Sequence, residues 1–496
     1  MQSKRKRLGQ FFTPDVVARS LVRWSLRHEN DQILDPACGD GEFLLCHPRA
    51  VGVEVDSIHV QSAKSQAPSS VVHHSDFFEW AQTTQERFDA VVGNPPFIRY
   101  QGFNGKLRER ALDLSKRIGA RIPALTSSWA PFIAVAASLL KPGGRLAFVV
   151  PAEIGHASYA VPLLEALCKN FDLVQVIAVR EKLFPELSED AWILYCDGFG
   201  SSTDAVSLTL LEEFPSSSHP PKPSRRVSLT ALRRQHGRLR RWILSDDVLS
   251  AYDELANRTS TFRFGAAATV GIGYVTGANE FFHMRPSQVH EFGIPKEFLR
   301  VAVRRGRSLP GAPALLSEHV KRWIERDEPL YLLMLTEGAL KHKAIRRYLD
   351  SPAAEKIRSA FKVAIRNSWY IVPGVIVPDA FLTYMSGERI ELIANVARCV
   401  GTNSVHVVTM RDGYSFDQVQ GAWNSPLTQL SCEIEGHPLG GGMLKVEPRE
   451  AQRIVIPRLA RRFDSAASAL FEEGARVMRL WRHYPHAANS EAGKTA

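Results

Sequence analysis

Cysteines are few in this sequence and widely spaced. Six occur among 496 residues, and no two of them form the C-x-x-C pair that is typical of zinc sites and redox motifs. Their positions are Cys38, Cys46, Cys168, Cys196, Cys399 and Cys432. Single thiols this far apart also give no sign of a disulfide framework. We therefore expect no bound metal and a reducing compartment, the cytoplasm.

Long apolar runs are missing as well. No stretch approaches the roughly 20 residues that a membrane-spanning helix needs. The basic start MQSKRKR leads into LGQFFTP, which lacks the apolar core of a secretory signal. We therefore expect no membrane partner. A chain of 496 residues exceeds the size at which one hydrophobic core keeps growing, so we expect two domains.

Positive charge exceeds negative charge. Lys and Arg number 62 against 52 Asp and Glu, which gives a net charge of +10. A basic surface gains affinity for a polyanion by releasing counterions, which favours a nucleic-acid partner, although many basic proteins bind none. Seven arginines crowd between positions 225 and 241. A solvated helix face and a phosphate-contacting segment are both compatible with that pattern.

Approximately the first 200 residues alternate apolar strand-like runs with helical stretches, the pattern of a mostly parallel sheet with crossover helices. This predicts a doubly wound, Rossmann-like α/β domain, which binds ligands beyond the carboxyl ends of its strands. The predicted strands are 32–34, 50–55, 70–73, 88–92, 145–150, 173–179 and 191–196. A helix is predicted over 128–140, ended by a turn at 141–144, KPGG.

The composition changes after residue 213. Residues 214–224 are rich in Pro and Ser and lack an apolar period, so we expect a linker over 214–243 that includes the arginine-rich segment. It would join a first domain, residues 1–213, to a second domain of mixed α+β structure, residues 244–485. The end of the chain, 486–496, is predicted to be a disordered tail.

Candidate chemistry begins in the segment ILDPACGDGEF, residues 33–43. An apolar strand ends in Asp35 and leads into a loop in which Gly39 and Gly41 let a ligand approach the backbone closely. The Gly-Lys-Ser/Thr of a phosphate-binding loop is absent. Carboxylates at Asp35 and Asp40 would repel a pyrophosphate, but they suit a cation such as a sulfonium with its ammonium group.

Glu54 ends the next predicted strand, 19 positions after Asp35. A carboxylate at that place can accept hydrogen bonds from both hydroxyls of a ribose, as in dinucleotide sites. For Asp56 we favour a helix cap or a surface acid. After the third strand, Asp76 is placed to accept from an adenine amine and Phe77 to lie against the purine, although this motif is weak when taken alone.

The segment GNPPF, residues 93–97, follows the fourth predicted strand. The side-chain oxygen of Asn94 and the carbonyl oxygen of Pro95 can both accept hydrogen bonds from one planar NH₂ group, while the two prolines fix the backbone. Phe97 can stack on the attached ring. Alone, the motif could also be a rigid turn. With an acidic glycine loop ahead of it, the motif favours a site for an aromatic amine or an amide.

These motifs, in this order, resemble those of the gamma-class N6-adenine DNA methyltransferases of restriction–modification systems. The resemblance is dense over residues 9–151 and sparse beyond them, and Phe97 stands where many relatives have Tyr, a change that keeps a stacking face. The segments that carry it are 9–14 (GQFFTP), 35–43, 52–54 (GVE), 76–78 (DFF), 94–97 and 141–151, with 271–279 and 440–445 resembling parts of a target-recognition region.

The resemblance implies a site-specific enzyme that transfers a methyl group from S-adenosylmethionine to the exocyclic N6 amine of an adenine flipped out of double-stranded DNA. Together with the glycine loop, it predicts donor contacts at Thr13, Asp35, Ala37, Gly39, Gly41 and Glu54, with Asp76 and Phe77 at the donor's adenine. The predicted catalytic residues are Asn94, Pro95, Pro96 and Phe97. Phe184 resembles a second ring that stacks on the target base, although a Phe before Pro at a strand edge is often a core residue.

Base recognition is expected in the second domain. There Arg304, Arg305 and Arg307 are candidates for DNA contact, with a basic surface loop as the alternative. We expect a monomer and, where a cognate restriction endonuclease exists, one encoded separately, since few residues precede Gly9 to hold a fused nuclease. Two alternatives stay open: a methyltransferase acting on an RNA base or a protein glutamine amide, and a nucleic-acid-binding subunit without catalysis.

Overall fold

The computed structural model describes residues 13–185, 190–458 and 465–484. The chain divides into two compact units, Met1–Ile243 and Leu244–Ala496, and each is described by itself. The predicted tail, 486–496, and residues 9–12 of the first motif lie outside the described residues.

A nine-stranded sheet forms the centre of the first unit, in the order β3-β2-β1-β4-β5-β7-β6-β8-β9. Its strands are β1 (Ile33–Asp35), β2 (Ala50–Glu54), β3 (Val71–His74), β4 (Phe88–Gly93), β5 (Leu140–Pro151), β6 (Phe171–Val179), β7 (Ala191–Phe199), β8 (Ala205–Leu211) and β9 (Arg225–Ser228). Strands β1 to β5 pair in parallel, β7 is antiparallel to β5 and β6, and β9 is antiparallel to β8. The predicted doubly wound sheet is confirmed.

The inner strands are continuous apolar runs, as expected of strands that are buried on both faces. Every residue of β1 and of β2 is buried, and so are residues 146–151 of β5. One face of these strands contributes side chains to a core cluster that also contains three residues of the helix Asp15–Ser25, which lie on one side of that helix at helical spacing. The strand residues in the cluster are Ile33, Ala50, Ala147 and Val149, and the helix residues are Val17, Leu21 and Trp24.

The helices of the first unit are α1 (Asp15–Ser25), α2 (Ser57–Gln66), α3 (Phe77–Thr83), α4 (Gly105–Ser115), α5 (Trp129–Ala137), α6 (Ala160–Cys168) and α7 (Leu229–Arg234). Short 3₁₀ turns lie at Leu44–Cys46, Lys116–Ile118, Ala152–Gly155 and Leu239–Ile243. Every residue of α5 is buried, as expected of a helix that is apolar on all sides.

The turn predicted at residues 141–144 is wrong. Helix α5 ends earlier, at Ala137, and β5 begins at Leu140 and runs through the KPGG segment. The pairing with β4 shifts from Phe88 opposite Leu140 to Ala90 opposite Arg145, so residues 141–144 of β5 lie opposite the single residue Asp89 and form an irregularity within the strand. Gly143 takes a φ of +76° there, which glycine adopts without strain.

The linker predicted over 214–243 is also wrong for its second half. Residues 225–228 form β9, which pairs with β8 at the edge of the sheet, and α7 and a 3₁₀ turn follow within the first unit. Val227 and Leu232 are buried. These two apolar side chains attach the segment to the core of the first unit. The sequence did not indicate this, because arginines surround them and the segment has no clear apolar periodicity.

Among the described residues of the second unit, the strands form four small sheets: β10-β22, β11-β19-β15-β17, β12-β14-β13-β18 and β16-β21-β20. Their bounds are β10 (Thr261–Arg263), β11 (Ala268–Ile272), β12 (His283–Met284), β13 (Leu299–Val303), β14 (Tyr331–Leu333), β15 (Ala380–Leu382), β16 (Met385–Ser386), β17 (Leu392–Ala394), β18 (Val400–Gly401), β19 (His406–Met410), β20 (His437–Leu439), β21 (Met443–Lys445) and β22 (Val455–Pro457).

The helices of this unit are α8 (Asp246–Ala256), α9 (Phe264–Ala267), α10 (Asn279–Phe282), α11 (Pro286–Phe292), α12 (Ser317–Glu325), α13 (Lys343–Leu349), α14 (Pro352–Arg358), α15 (Phe361–Ala364), α16 (Phe416–Trp423), α17 (Pro426–Glu435), α18 (Pro448–Ala451) and α19 (Ser465–Leu480). Short 3₁₀ turns lie at Lys296–Phe298, Gly306–Ser308, Glu337–Lys341 and Gly440–Gly442. The mixed α+β class predicted for this unit is confirmed. Across the part of the chain that the structure describes, no helix has both the length and the apolar character needed to cross a bilayer.

Candidate active site

The carboxyl ends of β1 and β4 meet where the strand order of the sheet reverses. Asp35 ends β1 and Gly93 ends β4. A side chain at position 93 would place its Cβ only 2.8 Å from Oδ1 of Asp35, so glycine is required for the two strand ends to lie this close. Asn94 follows directly. The structure therefore brings the acidic loop and the NPPF turn to one edge of the sheet, the edge at which such folds bind ligands.

Backbone hydrogen bonds hold the loop after β1 in place. Cys38 donates a backbone hydrogen bond to the carbonyl of Val53 over 3.0 Å, and Gly41 donates to the carbonyl of Cys38 over 2.8 Å. Gly39 and Gly41 have positive φ values of +51° and +96°, where L side chains are strained. The hydrogen bond from Cys38 to Val53 therefore joins the loop to the carboxyl end of β2.

Asp35 is nearly completely buried, with 1% of its surface exposed. Burial is the main cause that raises the pKa of its carboxyl to about 8, and the nearby charge of Glu54 raises it further. The N–H of Ala37 donates to Oδ1 over 3.1 Å and opposes the rise. A cation bound beside this carboxyl would favour its ionised form and offset part of the cost of burial.

Glu54 accepts three backbone hydrogen bonds. Gly39 donates to Oε2 over 3.0 Å, and Val55 and Asp56 donate to Oε1 over 2.9 and 2.8 Å. A carboxylate offers about four acceptor positions, and three backbone N–H groups already occupy most of them. The two ribose hydroxyls predicted from the sequence would need two positions, which is more than Glu54 has left. Asp56 caps α2 by accepting from Ile58, the role favoured for it from the sequence.

Asp76 lies at the start of α3. Its Oδ1 accepts from the backbone of Phe78 and Glu79, over 2.9 and 3.1 Å, and burial raises the pKa of its carboxyl. Phe77 differs from expectation, because its ring is buried against Phe132 with ring centroids 4.6 Å apart. The Phe77 ring is therefore a core side chain in this structure and does not offer an open face for stacking.

Asn94 is oriented by a residue far away in the chain. Its Nδ2 donates a hydrogen bond to Oγ1 of Thr13 over 3.2 Å, and Thr13 is 6% exposed. Because an amide has one donor end and one acceptor end, this bond directs Oδ1 away from Thr13. Two residues that the sequence assigned separately, one to the donor and one to the amine, are thus direct neighbours.

Ser128 holds the prolyl turn and was missed in the sequence. Its hydroxyl donates to the carbonyl of Pro96 and accepts from the N–H of Ile98 over 2.9 Å. Its own N–H donates to the carbonyl of Ile98 over 2.9 Å. Ser128 is buried. These three bonds fix the backbone immediately after Asn94, and the prolines alone would fix only their φ angles.

One predicted stacking ring belongs to a core cluster and the other packs against that cluster. Phe97 is half-buried and packs against the cluster that contains Phe184, and Phe184 itself is 4% exposed. Part of the Phe97 side chain is therefore exposed to solvent. The ring of Phe184 is a core side chain in this structure, which was the alternative to a stacking role given in the sequence analysis.

The three arginines proposed for DNA contact differ in their surroundings. Arg304 forms an ion pair with Glu280 over 2.8 Å and its side chain is 14% exposed. Arg305 and Arg307 are exposed on either side of Gly306. Nearby, the guanidinium of Arg366 donates to the carbonyls of Val275 and Thr276 over 2.9 and 2.6 Å, which holds the 271–279 segment in place.

Three family descriptions match the chain. Residues 237–485 match "Type II methyltransferase M.Eco57I, C-terminal domain", a match that spans half of the chain. Residues 50–184 match "Eco57I restriction-modification methylase", and residues 1–69 match "N-6 DNA Methylase".

Individual relatives extend over nearly the whole chain. It is 20% identical to Type II methyltransferase M.AccI of Acinetobacter calcoaceticus, over 90% of this chain and 85% of that protein. It is 24% identical to Type II methyltransferase M.XamI of Xanthomonas campestris pv. amaranthicola, over 91% of this chain and 86% of that protein. Among solved structures, the cryoEM structure of a DrdV–DNA complex has a TM-score of 0.50 at 12% identity, covering 97% of this chain and 58% of that one. This last likeness is one of fold.

Proposed function

The chain belongs to the family of Type II methyltransferases with the M.Eco57I C-terminal domain and is a site-specific adenine DNA methyltransferase, and on this premise we propose that Asn94 and the acidic loop at Asp35 form its catalytic site. One observation carries the proposal. Gly93 leaves no room for a side chain between its strand end and Asp35, so the turn that suits an amine borders the loop that suits a cation. A methyl transfer from a cationic donor to an amine requires these two subsites side by side.

We propose S-adenosylmethionine as the donor. When bound, it supplies a methyl group on a positively charged sulfur. The chemistry of the donor site fits it, because the buried carboxyl of Asp35 suits a cation and Glu54 can accept from a ribose hydroxyl beside the N–H of Gly39. The carboxyl of Asp76 and the backbone N–H of Phe77 are complementary to the amine and ring nitrogen of an adenine. The residues proposed to hold the donor are Thr13, Asp35, Ala37, Gly39, Gly41, Glu54, Asp76 and Phe77.

Asn94 and Pro95 act on the target amine. Its lone pair is delocalised into the adenine ring, so the nitrogen is a poor nucleophile. We propose that Oδ1 of Asn94 and the carbonyl oxygen of Pro95 accept its two N–H groups, which favours a more tetrahedral nitrogen and directs the lone pair toward the donor. The contribution of these groups is positioning and electrostatic stabilisation. The nitrogen would gain the methyl group as the carbon–sulfur bond breaks, and the cationic product would then lose one N–H proton to solvent, so the step requires no side-chain base.

The target adenine must leave the DNA stack to reach this turn. We propose that Phe97 stacks on the flipped base, and that Phe184 joins it only if its ring moves out of the core. Base recognition is assigned to the second unit, with the exposed Arg305 and Arg307 on phosphates or base edges and Arg304 as a paired neighbour. We further propose a monomer that acts in the cytoplasm, with any cognate endonuclease a separate protein.

The experiment that tests this function incubates the purified protein and radiolabelled S-adenosylmethionine with plasmid DNA, ribosomal RNA or a protein extract. Label should enter DNA, and digestion to nucleosides should place it in N6-methyladenine. Label in RNA or protein but not in DNA would overturn the proposal. Donor binding without transfer to any DNA would favour a subunit that lacks catalysis.

A further inference from the structure

A short, exposed apolar segment, here called the tip, lies a few residues before the serine that contacts the NPPF turn. That turn, residues 94–97, is called the catalytic turn below. The tip consists of Pro123, Ala124 and Leu125, all three exposed, and 69% of the surface of Leu125 is in contact with solvent. The residues on either side are buried, with Ile122 at 8% and Thr126 at 0% exposure. The tip is therefore held at both ends by core contacts, and its exposed leucine is not the end of a loose loop.

The tip is attached to the catalytic turn through Ser128. Only two residues separate Leu125 from Ser128, whose backbone N–H and hydroxyl bind the backbone of Ile98 and whose hydroxyl also binds Pro96. These bonds place the base of the tip against the backbone that follows Asn94. Leu125 is therefore joined, through Ser128, to the turn at which the target amine is proposed to bind.

The segment that joins the turn to the tip is strongly basic. Between positions 99 and 121 it carries seven basic residues and two acidic ones, Glu109 and Asp113. The basic residues are Arg99, Lys106, Arg108, Arg110, Lys116, Arg117 and Arg121. Arg117 donates to the carbonyl of Ala81 over 2.8 Å, which ties the segment to α3. Charge of this sign beside the turn suits a polyanion.

We propose that the tip formed by Pro123, Ala124 and Leu125 inserts into the DNA duplex and occupies the space that the flipped adenine leaves. Extrusion of a base leaves its neighbours unstacked, and an apolar side chain that enters the gap recovers part of that stacking. Leu and Pro are side chains that proteins use as such wedges. The inference rests on the proposed function, since it needs adenine to be the substrate and DNA to be double-stranded.

The test compares Leu125→Ala with two other variants of the full-length protein. Leu125→Met keeps the apolar bulk of the wedge. Val71→Ala removes an apolar side chain of comparable exposure, 55%, from the amino end of β3, the opposite edge of the sheet. Single-molecule sequencing of DNA modified by the wild type first identifies the methylated site. Each variant is then assayed on two duplexes that carry this site. In one the target adenine pairs with thymine, and in the other it lies opposite an abasic site.

Leu125→Ala should lose about tenfold or more in single-turnover rate on the paired duplex and recover most of it on the abasic one, because no partner base has to be released there. Leu125→Met and Val71→Ala should match the wild type on both duplexes. Equal rates for all four proteins on the paired duplex would overturn the inference. So would an equal loss by Leu125→Ala on both duplexes, which would make the tip a simple contact with DNA or with another protein.

The two hypotheses fail in different ways. If the wild-type protein methylates neither duplex, the proposed function is wrong and with it the wedge. If the wild type methylates both and Leu125→Ala behaves as Val71→Ala does, only the wedge is wrong. Thermal unfolding of each variant shows whether a lost rate reflects lost folding. The rate of Leu125→Ala on the abasic duplex is a second control, because a protein that does not fold would be slow on both duplexes.

Discussion

The amide nitrogen of Asn94 donates a hydrogen bond to the hydroxyl of Thr13 across 3.2 Å, joining two residues that are 81 positions apart. The bond decides which end of the amide is an acceptor at the site. Since the donor end is directed to Thr13, we propose that the oxygen is the end that accepts from a substrate amine. We therefore propose Thr13 as a positioning residue for Asn94, in addition to any contact it makes with the donor.

Thr13→Val should lower kcat about tenfold, because the amide of Asn94 loses the acceptor that fixes its orientation. Thr13→Ser keeps the hydroxyl and should stay close to the wild type. Single-turnover rates and donor affinity, measured side by side, check this. A fall in donor affinity as large as the fall in rate would show that Thr13 acts on the donor and not on Asn94.

Asn94→Ala should keep donor affinity and lose methyl transfer by about 10² to 10³ fold, because the variant lacks one acceptor for the amine. Asp35→Ala should do the opposite and weaken donor binding first. Titration calorimetry gives the binding constants and radiolabel transfer gives the rates. Equal effects of the two substitutions on both quantities would mean that the two subsites are not separate.

Donor binding should depend on pH through Asp35. Its pKa is raised to about 8 by burial, so in the free protein the carboxyl is mostly protonated below that pH, whereas a cationic donor favours the ionised form. Donor affinity should therefore rise between about pH 6 and about pH 9, and binding near neutral pH should release a proton.

Calorimetry in buffers of different ionisation enthalpy detects that proton. Asp35→Asn should bind the donor more weakly and without this pH dependence, since the amide has no proton to lose in the range. An affinity that is flat over the range in the wild type would contradict the assignment of Asp35 to the cationic part of the donor.

Ser128→Ala should destabilise the protein by about 1–3 kcal/mol and slow methyl transfer more than it weakens donor binding, because Pro96 and Ile98 lose their shared partner. Ser115→Ala is a matched control. That serine is equally buried and its hydroxyl donates only to Ala111 in its own helix, over 2.7 Å. Equal kinetics for the two variants would show that the prolines alone fix the turn.

Arg305→Ala and Arg307→Ala should weaken DNA binding and reduce the slope of log affinity against log salt by about 1 for each phosphate contact removed. Donor affinity should not change. Arg304→Ala should have a smaller effect on the slope, because its charge is already paired with Glu280. Fluorescence anisotropy at several salt concentrations measures all three, and unchanged slopes would remove this loop from the DNA interface.

Much of the site could be predicted from the sequence because each motif sits where an apolar run ends. Asp35, Glu54 and Asn94 follow continuous apolar strands, and parallel strands bring their carboxyl ends to one edge. The predicted parallel strands, together with the family resemblance, were enough to predict that these three residues lie at one edge of the sheet. For Asp56 the sequence favoured a helix cap or a surface acid, and the structure shows the helix cap.

What the sequence could not reveal depends on contacts between distant segments. The role of Ser128 comes from bonds to a turn about 30 residues earlier, and a serine at the start of a helix carries no local sign of those bonds. The burial of the Phe77 ring follows from its contact with Phe132. β9 was hidden because its pairing partner is β8, while the Pro- and Ser-rich residues before it resemble a linker.

Single-molecule sequencing of DNA from cells that express the wild-type protein or Asn94→Ala tests the central claim most directly, because it reports both the modified base and its context. The account predicts N6-methyladenine within one recurrent sequence for the wild type and a near-complete loss of that mark in the variant, with both proteins present at similar levels. Modification of another base, or an undiminished adenine mark in Asn94→Ala, would contradict it.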